Sequence, residues 1–210
     1  MLPCRSFGLC AAVAGALVLT SAVLVQDKAK DTKPKPAAAE KMDPEAMAKM
    51  MALGSPGPDH KVLNDVVGKW NAHVKFWMDP SAPAGESEGT SECEWILGDR
   101  FIRESHKGTM MGMPFEGTGL QGYDNMKKKY VGTWADSMGT SIMVTEGTWD
   151  AAKKTLTSVG ECPDPTMTKY VKCRMVTTIT DKDSHKFEMF MPDEAGKESR
   201  CLEITYTRAK

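Results

Sequence analysis

The stretch Trp70-Asn71-Ala72-His73-Val74-Lys75-Phe76-Trp77-Met78-Asp79 decides the fold. Trp70, Ala72, Val74, Phe76 and Met78 alternate with Asn71, His73, Lys75, Trp77 and Asp79, the period of a strand with one face buried and one face wet. Toward the C-terminus the same rhythm returns at short intervals. It predicts nine further strands, over about 86–97, 101–107, 115–123, 129–135, 140–149, 155–162, 168–180, 185–191 and 199–208. The joints carry turn residues, among them Leu97-Gly98-Asp99, Met111-Gly112-Met113-Pro114 and Asp181-Lys182-Asp183, while Asp124 and Asp136 read as Asx caps of their turns. Connections this short make neighbouring strands antiparallel. An open meander of this size leaves two long unpaired edges, and closure removes both. The expected fold is therefore all-β, a closed antiparallel up-and-down β-barrel of about ten strands over residues 68–210.

Toward the N-terminus, Asp43-Pro44-Glu45 is a helix start, and Met47, Met50 and Met51 recur at helical spacing before Gly54. After Pro56-Gly57-Pro58, Asp59 is the expected cap of a second helix whose Leu63, Val66 and Val67 point one way. Both helices, within 43–67, are too short to stand alone and are expected to pack on the barrel. Residues 26–42 are Lys, Pro, Ala, Asp and Glu with little to bury, a predicted disordered linker. Residues 1–25 place Arg5 before an apolar run, 7–25, which reads as a secretory signal with cleavage expected after Ala22 or a few residues later. If uncut, the run is barely long enough to anchor in a bilayer. A secreted or periplasmic protein is the expectation.

Lys and Arg number 27 against 28 Asp and Glu, so no overall field draws the chain to nucleic acid or an anionic membrane. Four cysteines follow the leader: Cys93, Cys162, Cys173 and Cys201. Cys162 and Cys173 flank a Pro-rich turn between two predicted strands, so a disulfide across that hairpin neck is expected, with Cys93 and Cys201 as buried thiols. No cysteine spacing matches a zinc site or a thioredoxin-type pair.

Six ordered blocks carry a family resemblance. Gly57-Pro58-Asp59-His60 leading to Gly68-Lys69-Trp70, then Gly112-Met113-Pro114-Phe115-Glu116-Gly117 and Gly122-Tyr123-Asp124-Asn125, resemble the bacterial family known as domain of unknown function 1579. So do Trp134-Ala135-Asp136-Ser137-Met138-Gly139-Thr140, Glu146-Gly147-Thr148-Trp149-Asp150 and Thr205-Tyr206-Thr207-Arg208. The resemblance implies no activity for any residue. Gly68-Lys69-Trp70 after a short helix also resembles the first-strand motif of the calycins, the lipocalins and fatty-acid-binding proteins. That likeness implies that Trp70 packs at the barrel base against an Arg of the last strand, and alternation places Arg208 on one face with Leu202, Ile204 and Tyr206.

The barrel interior is the default pocket, because small barrels either fill with their own side chains or hold one small ligand. The leading reading is a small apolar molecule held without chemistry. Its expected contacts are Val74, Phe76 and Met78 from the first strand, with Trp95, Met113 and Phe115. Tyr130, Trp134, Met189 and Tyr206 complete the expected wall. The alternative is a solid structural barrel whose Trp77 side recruits a protein partner. A haem or metal barrel ranks below both. For that reading, His185 would reach the mouth from the strand carrying Phe187, Met189 and Met191, against the plainer view of a rim histidine. Met110, Met111 and Met113, with Met47, Met50 and Met51, would suit Cu(I) as thioethers, or simply form an apolar lip. His106 shares a face with Ile102 and Glu104; inward, that pair would suit a base or a ligand, and outward it is ordinary surface. No nucleophile elbow, paired-His motif or phosphate loop is present, so no catalytic residue, metal ligand or cofactor is assigned and the sequence points away from an enzyme.

Overall fold

The computed structural model of the protein describes residues 43–164, 166–193 and 196–210; the expected signal segment 1–25 and linker 26–42 lie outside the described residues. After helices α1 (Pro44–Leu53) and α2 (Pro58–Lys61) and a 3₁₀ turn (Val62–Val66), the chain forms ten strands. They are β1 (Gly68–Phe76), β2 (Gly85–Ile96), β3 (Phe101–Met110), β4 (Met113–Asp124) and β5 (Lys129–Asp136), then β6 (Met143–Asp150), β7 (Thr155–Pro163), β8 (Tyr170–Asp181), β9 (Ser184–Pro192) and β10 (Glu198–Arg208). Each strand pairs antiparallel with the next, and β10 returns to pair with β1, so the barrel closes. Closure leaves no strand edge to template aggregation.

Two strands begin later than the alternation suggests. β6 starts at Met143 and β8 at Tyr170, two or three residues inside the predicted segments. For β8 the cause is local: the Asp164 carboxylate accepts from the backbone N–H of Thr168 at 2.8 Å and of Lys169 at 3.3 Å, holding that segment as a turn. The Asx caps are where they were expected. Asp124 Oδ1 accepts from the N–H of Met126 and Lys127 at 2.8 and 2.9 Å, and Asp136 Oδ1 from Met138 at 2.9 Å.

The end of the barrel where β1 enters and β10 leaves is plugged. Leu63, Ile102, Tyr130 and Leu156 form a buried cluster there, with Val62, Val66, Val67 and Trp95 packed against it. Trp70 and Arg208 are register partners, and the guanidinium carbon lies 4.1 Å from the indole centre. Arg208 also donates to the carbonyls of Lys182 (2.7 Å) and Val67 (3.2 Å), and Trp70 Nε1 donates to Val66 O at 2.9 Å. Gly68 stands beside this pair with φ +133°, and a Cβ there would overlap the Arg208 guanidinium, so only glycine lets the chain turn into β1 under that cap.

The helices differ from expectation in two respects. Gly57, not Asp59, caps α2; its N–H donates to His60 Nδ1 at 3.0 Å, while the Asp59 carbonyl accepts from the Tyr130 hydroxyl at 2.8 Å. Helix α1 buries none of its residues, and Met47, Met50 and Met51 are exposed. It is held instead at its C-terminal end, where Asn125 donates to Leu53 O and Ser55 O and Arg100 to Gly54 O. Those bonds satisfy the carbonyls that a helix end leaves open.

Candidate ligand-binding site

The barrel is hollow. A cavity of about 440 Å³ runs from the plug toward the opposite end, in the size range of small-molecule sites. Its wall is mainly apolar on one side and mixed on the other. Strands β8, β9, β10 and β1 supply Met175, Phe187, Met189, Leu202, Ile204 and Val74. The β3 to β7 side interleaves Glu104, His106, Gln121, Thr145 and Ser158 with Ile102, Met110, Phe115, Met143, Leu156 and the Trp134 indole.

Inward-facing glycines keep the space open. Gly117 and Gly119 of β4 stand beneath Trp134: a Cβ on Gly117 would overlap Cζ2 of the indole, and one on Gly119 would fall 3.0 Å from Cε3. The indole therefore lies along the wall instead of across the lumen, fixed by its N–H donating to Asp136 Oδ2 at 3.0 Å. His106 uses the same device, resting over Gly89, where a Cβ would come within 2.8 Å of Nε2.

Burial disfavours charge on the polar floor. Ser91 Oγ donates to Glu104 Oε1 at 2.7 Å and the Tyr206 hydroxyl approaches the same oxygen at 3.4 Å. Burial raises the Glu104 pKa, because removing a carboxylate from water costs more than these two hydrogen bonds restore. Burial likewise raises the pKa of Tyr206 and of Cys93 and keeps both protonated. Two residues along the same inner face, burial lowers the His106 pKa and keeps the imidazole neutral; its ring meets Phe115 edge-on at 5.7 Å. The floor thus offers a carboxyl and an imidazole whose charged forms burial disfavours.

Of the residues expected to contact a ligand, the fold brings Val74, Phe115, Trp134, Met189 and Tyr206 to the cavity wall. The other five are elsewhere. Strand β1 ends at Phe76, whose ring covers Gly85, and Met78 lies beyond the strand in solvent. Trp95 and Tyr130 do face inward, but at the plugged end, where Trp95 Nε1 donates to Asn64 Oδ1 at 2.9 Å and Tyr130 is 3 % exposed. Met113 sits on an exposed turn, although its neighbour Met110 reaches the cavity. Glu104 and His106 fall on the inward face of the two left open by the sequence, and the buried Ile102 on that face was the available signal.

The lower-ranked readings meet specific obstacles. His185 is not at the mouth but at the plug, stacked on Tyr206 at 4.4 Å and edge-on to Trp70 at 4.4 Å, which leaves no axial approach for a haem. Trp77 is half-buried under the Arg200 guanidinium, 4.8 Å from its ring centre, so it does not offer a free aromatic face. Met111 and Met113 are exposed on their turn. Among the described residues no group of three or more His, Cys, Asp or Glu has metal-holding geometry. The expected Cys162–Cys173 disulfide is not formed: all four cysteines are free thiols. Register explains it, since Cys162 stands opposite Val171 and Cys173 opposite Gly160, which makes the two diagonal and not direct neighbours.

Solved structures share this architecture. Rv2717c from M. tuberculosis is 14% identical and aligns over 74% of this chain and 100% of its own, with a TM-score of 0.57. The S-type phycobiliprotein lyase CPES from Guillardia theta is 12% identical, over 76% of this chain and 97% of its own, with a TM-score of 0.52. At these identities the likeness is one of fold. None of the curated proteins matches the sequence. The model of the family described as Protein of unknown function (DUF1579) matches residues 55–208, from the turn before α2 to the end of β10, and the chain belongs to that family.

Proposed function

We propose that the protein binds a small, largely apolar molecule in the barrel interior, with one uncharged polar end directed at Glu104 and His106. The observation that carries this reading is the cavity of about 440 Å³, lined largely by thioether, aliphatic and aromatic side chains with Glu104 and His106 among them. A charged ligand end would need a charged partner on the floor, and burial disfavours the charged forms of both groups. A rigid molecule with one hydroxyl or carbonyl suits this arrangement; a salt or a nucleotide does not.

Native mass spectrometry of protein purified from its own source tests the reading, because a co-purifying mass names the ligand class. Titration with a neutral aromatic alcohol such as 2-naphthol, read by Trp134 fluorescence, tests the geometry. Glu104→Gln is expected to bind nearly as wild type, since an amide replaces a carboxyl whose charged form burial disfavours, whereas Glu104→Leu weakens binding by about 1 kcal/mol, or roughly fivefold. Gly117→Val drives the Trp134 indole into the lumen and weakens binding by about 1–3 kcal/mol, the usual penalty of overpacking. No co-purifying mass together with no saturable binding removes the proposal.

We further propose that the protein acts outside the cytoplasm, on the strength of Arg5 and the apolar run 7–25. N-terminal sequencing of the cellular protein is expected to begin at Val23; a chain that starts at Met1 and stays in the cytosol refutes export.

A further inference from the structure

Sulfur collects at one side of the cavity. Cys162, Cys173, Met175 and Met189 form one buried cluster, with Met143, Met191 and Cys201 packed against it. The seven side chains come from five successive strands, β6 to β10. Two backbone irregularities bring them together. Met143 on β6 and Cys173 on β8 are separated by β7, yet their sulfurs are 4.0 Å apart, because the β7 residue opposite Cys173 is Gly160. A Cβ at Gly160 would lie 3.5 Å from Met143 Cγ and against the Val144 carbonyl, so any side chain there would press on the thioether's path. A bulge between Arg200 and Leu202 then adds Cys201 beside this group, with its thiol donating to Met189 O at 3.4 Å.

We infer that Cys162, Cys173 and Met143 form a binding site for a soft monovalent cation, Cu(I) in particular, on the wall of the cavity. At a metal–sulfur bond of about 2.3 Å, as in zinc thiolates, three sulfurs sharing one ion stand about 4 Å apart. Cys173 Sγ to Met143 Sδ is 4.0 Å, and Cys162, the diagonal neighbour of Cys173 on the adjacent strand, packs in the same buried cluster. Two thiols and a thioether select Cu(I) over zinc, which takes nitrogen, carboxylate or further thiolate ligands; among the described residues neither Cys201 nor any His, Asp or Glu completes a metal-holding group with the two cysteines. Cys162, Met143, Met175 and Met189 all face the cavity, so an ion has a way in. Binding forms two copper–thiolate bonds, and both thiol protons leave to solvent. Copper enters and stays as Cu(I), so no electron is transferred.

The test is an anaerobic titration of the reduced full chain with Cu(I) against a chromogenic Cu(I) chelator, with ultraviolet absorption recorded in parallel. One Cu(I) per chain and a thiolate-to-copper charge-transfer band are expected. Met143→Leu keeps the volume and removes only the thioether, and it is expected to weaken binding at least about tenfold, the low end for loss of a supporting ligand partner. The Cys162→Ser/Cys173→Ser double variant loses both the band and the uptake. Met111→Leu with Met113→Leu, on the exposed turn, changes neither. Failure of the wild-type chain to compete with the chelator overturns the site, as does undiminished uptake by the double variant. If the double variant does not fold, Met143→Leu decides, and wild-type affinity in that variant overturns the site. Uptake that survives Glu104→Leu separates this site from the ligand proposal.

Discussion

Trp70→Ala is expected to lower the free energy of unfolding by about 3–5 kcal/mol, the range for truncating a buried aromatic. Trp70 is 1 % exposed and holds together parts of the plug that are far apart in sequence. Its indole carries the Arg208 guanidinium on one face, meets His185 edge-on, and donates to the 3₁₀ turn at Val66 O. Truncation leaves the Val66 carbonyl unpaired and removes the platform under Arg208. The void adjoins Tyr206, which lines the ligand cavity, so water gains entry from the plugged end as well. Trp70→Phe keeps a ring beneath Arg208 and is expected to cost less, by an amount that includes the lost hydrogen bond of about 0.5–1.5 kcal/mol. Chemical denaturation of the three proteins measures both differences. A loss below about 1 kcal/mol for the alanine variant would show that Trp70 does not hold the plug.

Acid is expected to destabilise the protein through His185. The residue is 6 % exposed, its Nδ1 has no hydrogen-bond partner, and burial, with the Arg208 charge in second place, pulls its pKa down to about 4. A folded-state pKa below the unfolded value means that the unfolded chain takes up the proton first. The stabilising contribution is complete above about pH 6.5 and is lost as pH falls toward 4, about 3 kcal/mol across that window. His60 and His106 are shifted in the same direction by burial, so the informative quantity is the difference between wild type and His185→Phe. The phenylalanine preserves stacking on Tyr206 and removes the unpaired nitrogen. Its stability at neutral pH is expected to equal or exceed that of wild type, because an unsatisfied buried group is gone. Its loss between pH 6.5 and 4 should be smaller by about 3 kcal/mol. Parallel pH profiles for the two proteins would contradict a neutral His185 in the folded state.

Glu104 and His106 show where strand periodicity loses its power. Alternation states that Ile102, Glu104 and His106 share a face, but β3 lacks enough large apolar residues to say which face is inside. The barrel turns that face inward, and burial then disfavours the charged form of both groups. Cys162 and Cys173 make a similar case. A hairpin neck suggests pairing, but the β7–β8 register sets the two cysteines diagonally, and Gly160 offers Cys173 the Met143 thioether instead.

What the chain determines by itself is local: which segments alternate, where Asp and Gly turn them, and hence a closed meander, while the meeting of Trp70 and Arg208 at its base is what the likeness to the calycin first-strand motif implies. Height along the barrel axis is decided only by the tertiary structure. Trp95 and Tyr130 face inward as their period requires, yet stagger and tilt carry them down to the plug, while Trp134 stays at the cavity. The hollow interior is likewise a property of the whole wall, because each inward residue sees only neighbours from strands remote in sequence. Gly117 under Trp134 and Gly89 under His106 empty the lumen only once pairing has set each glycine beside its ring.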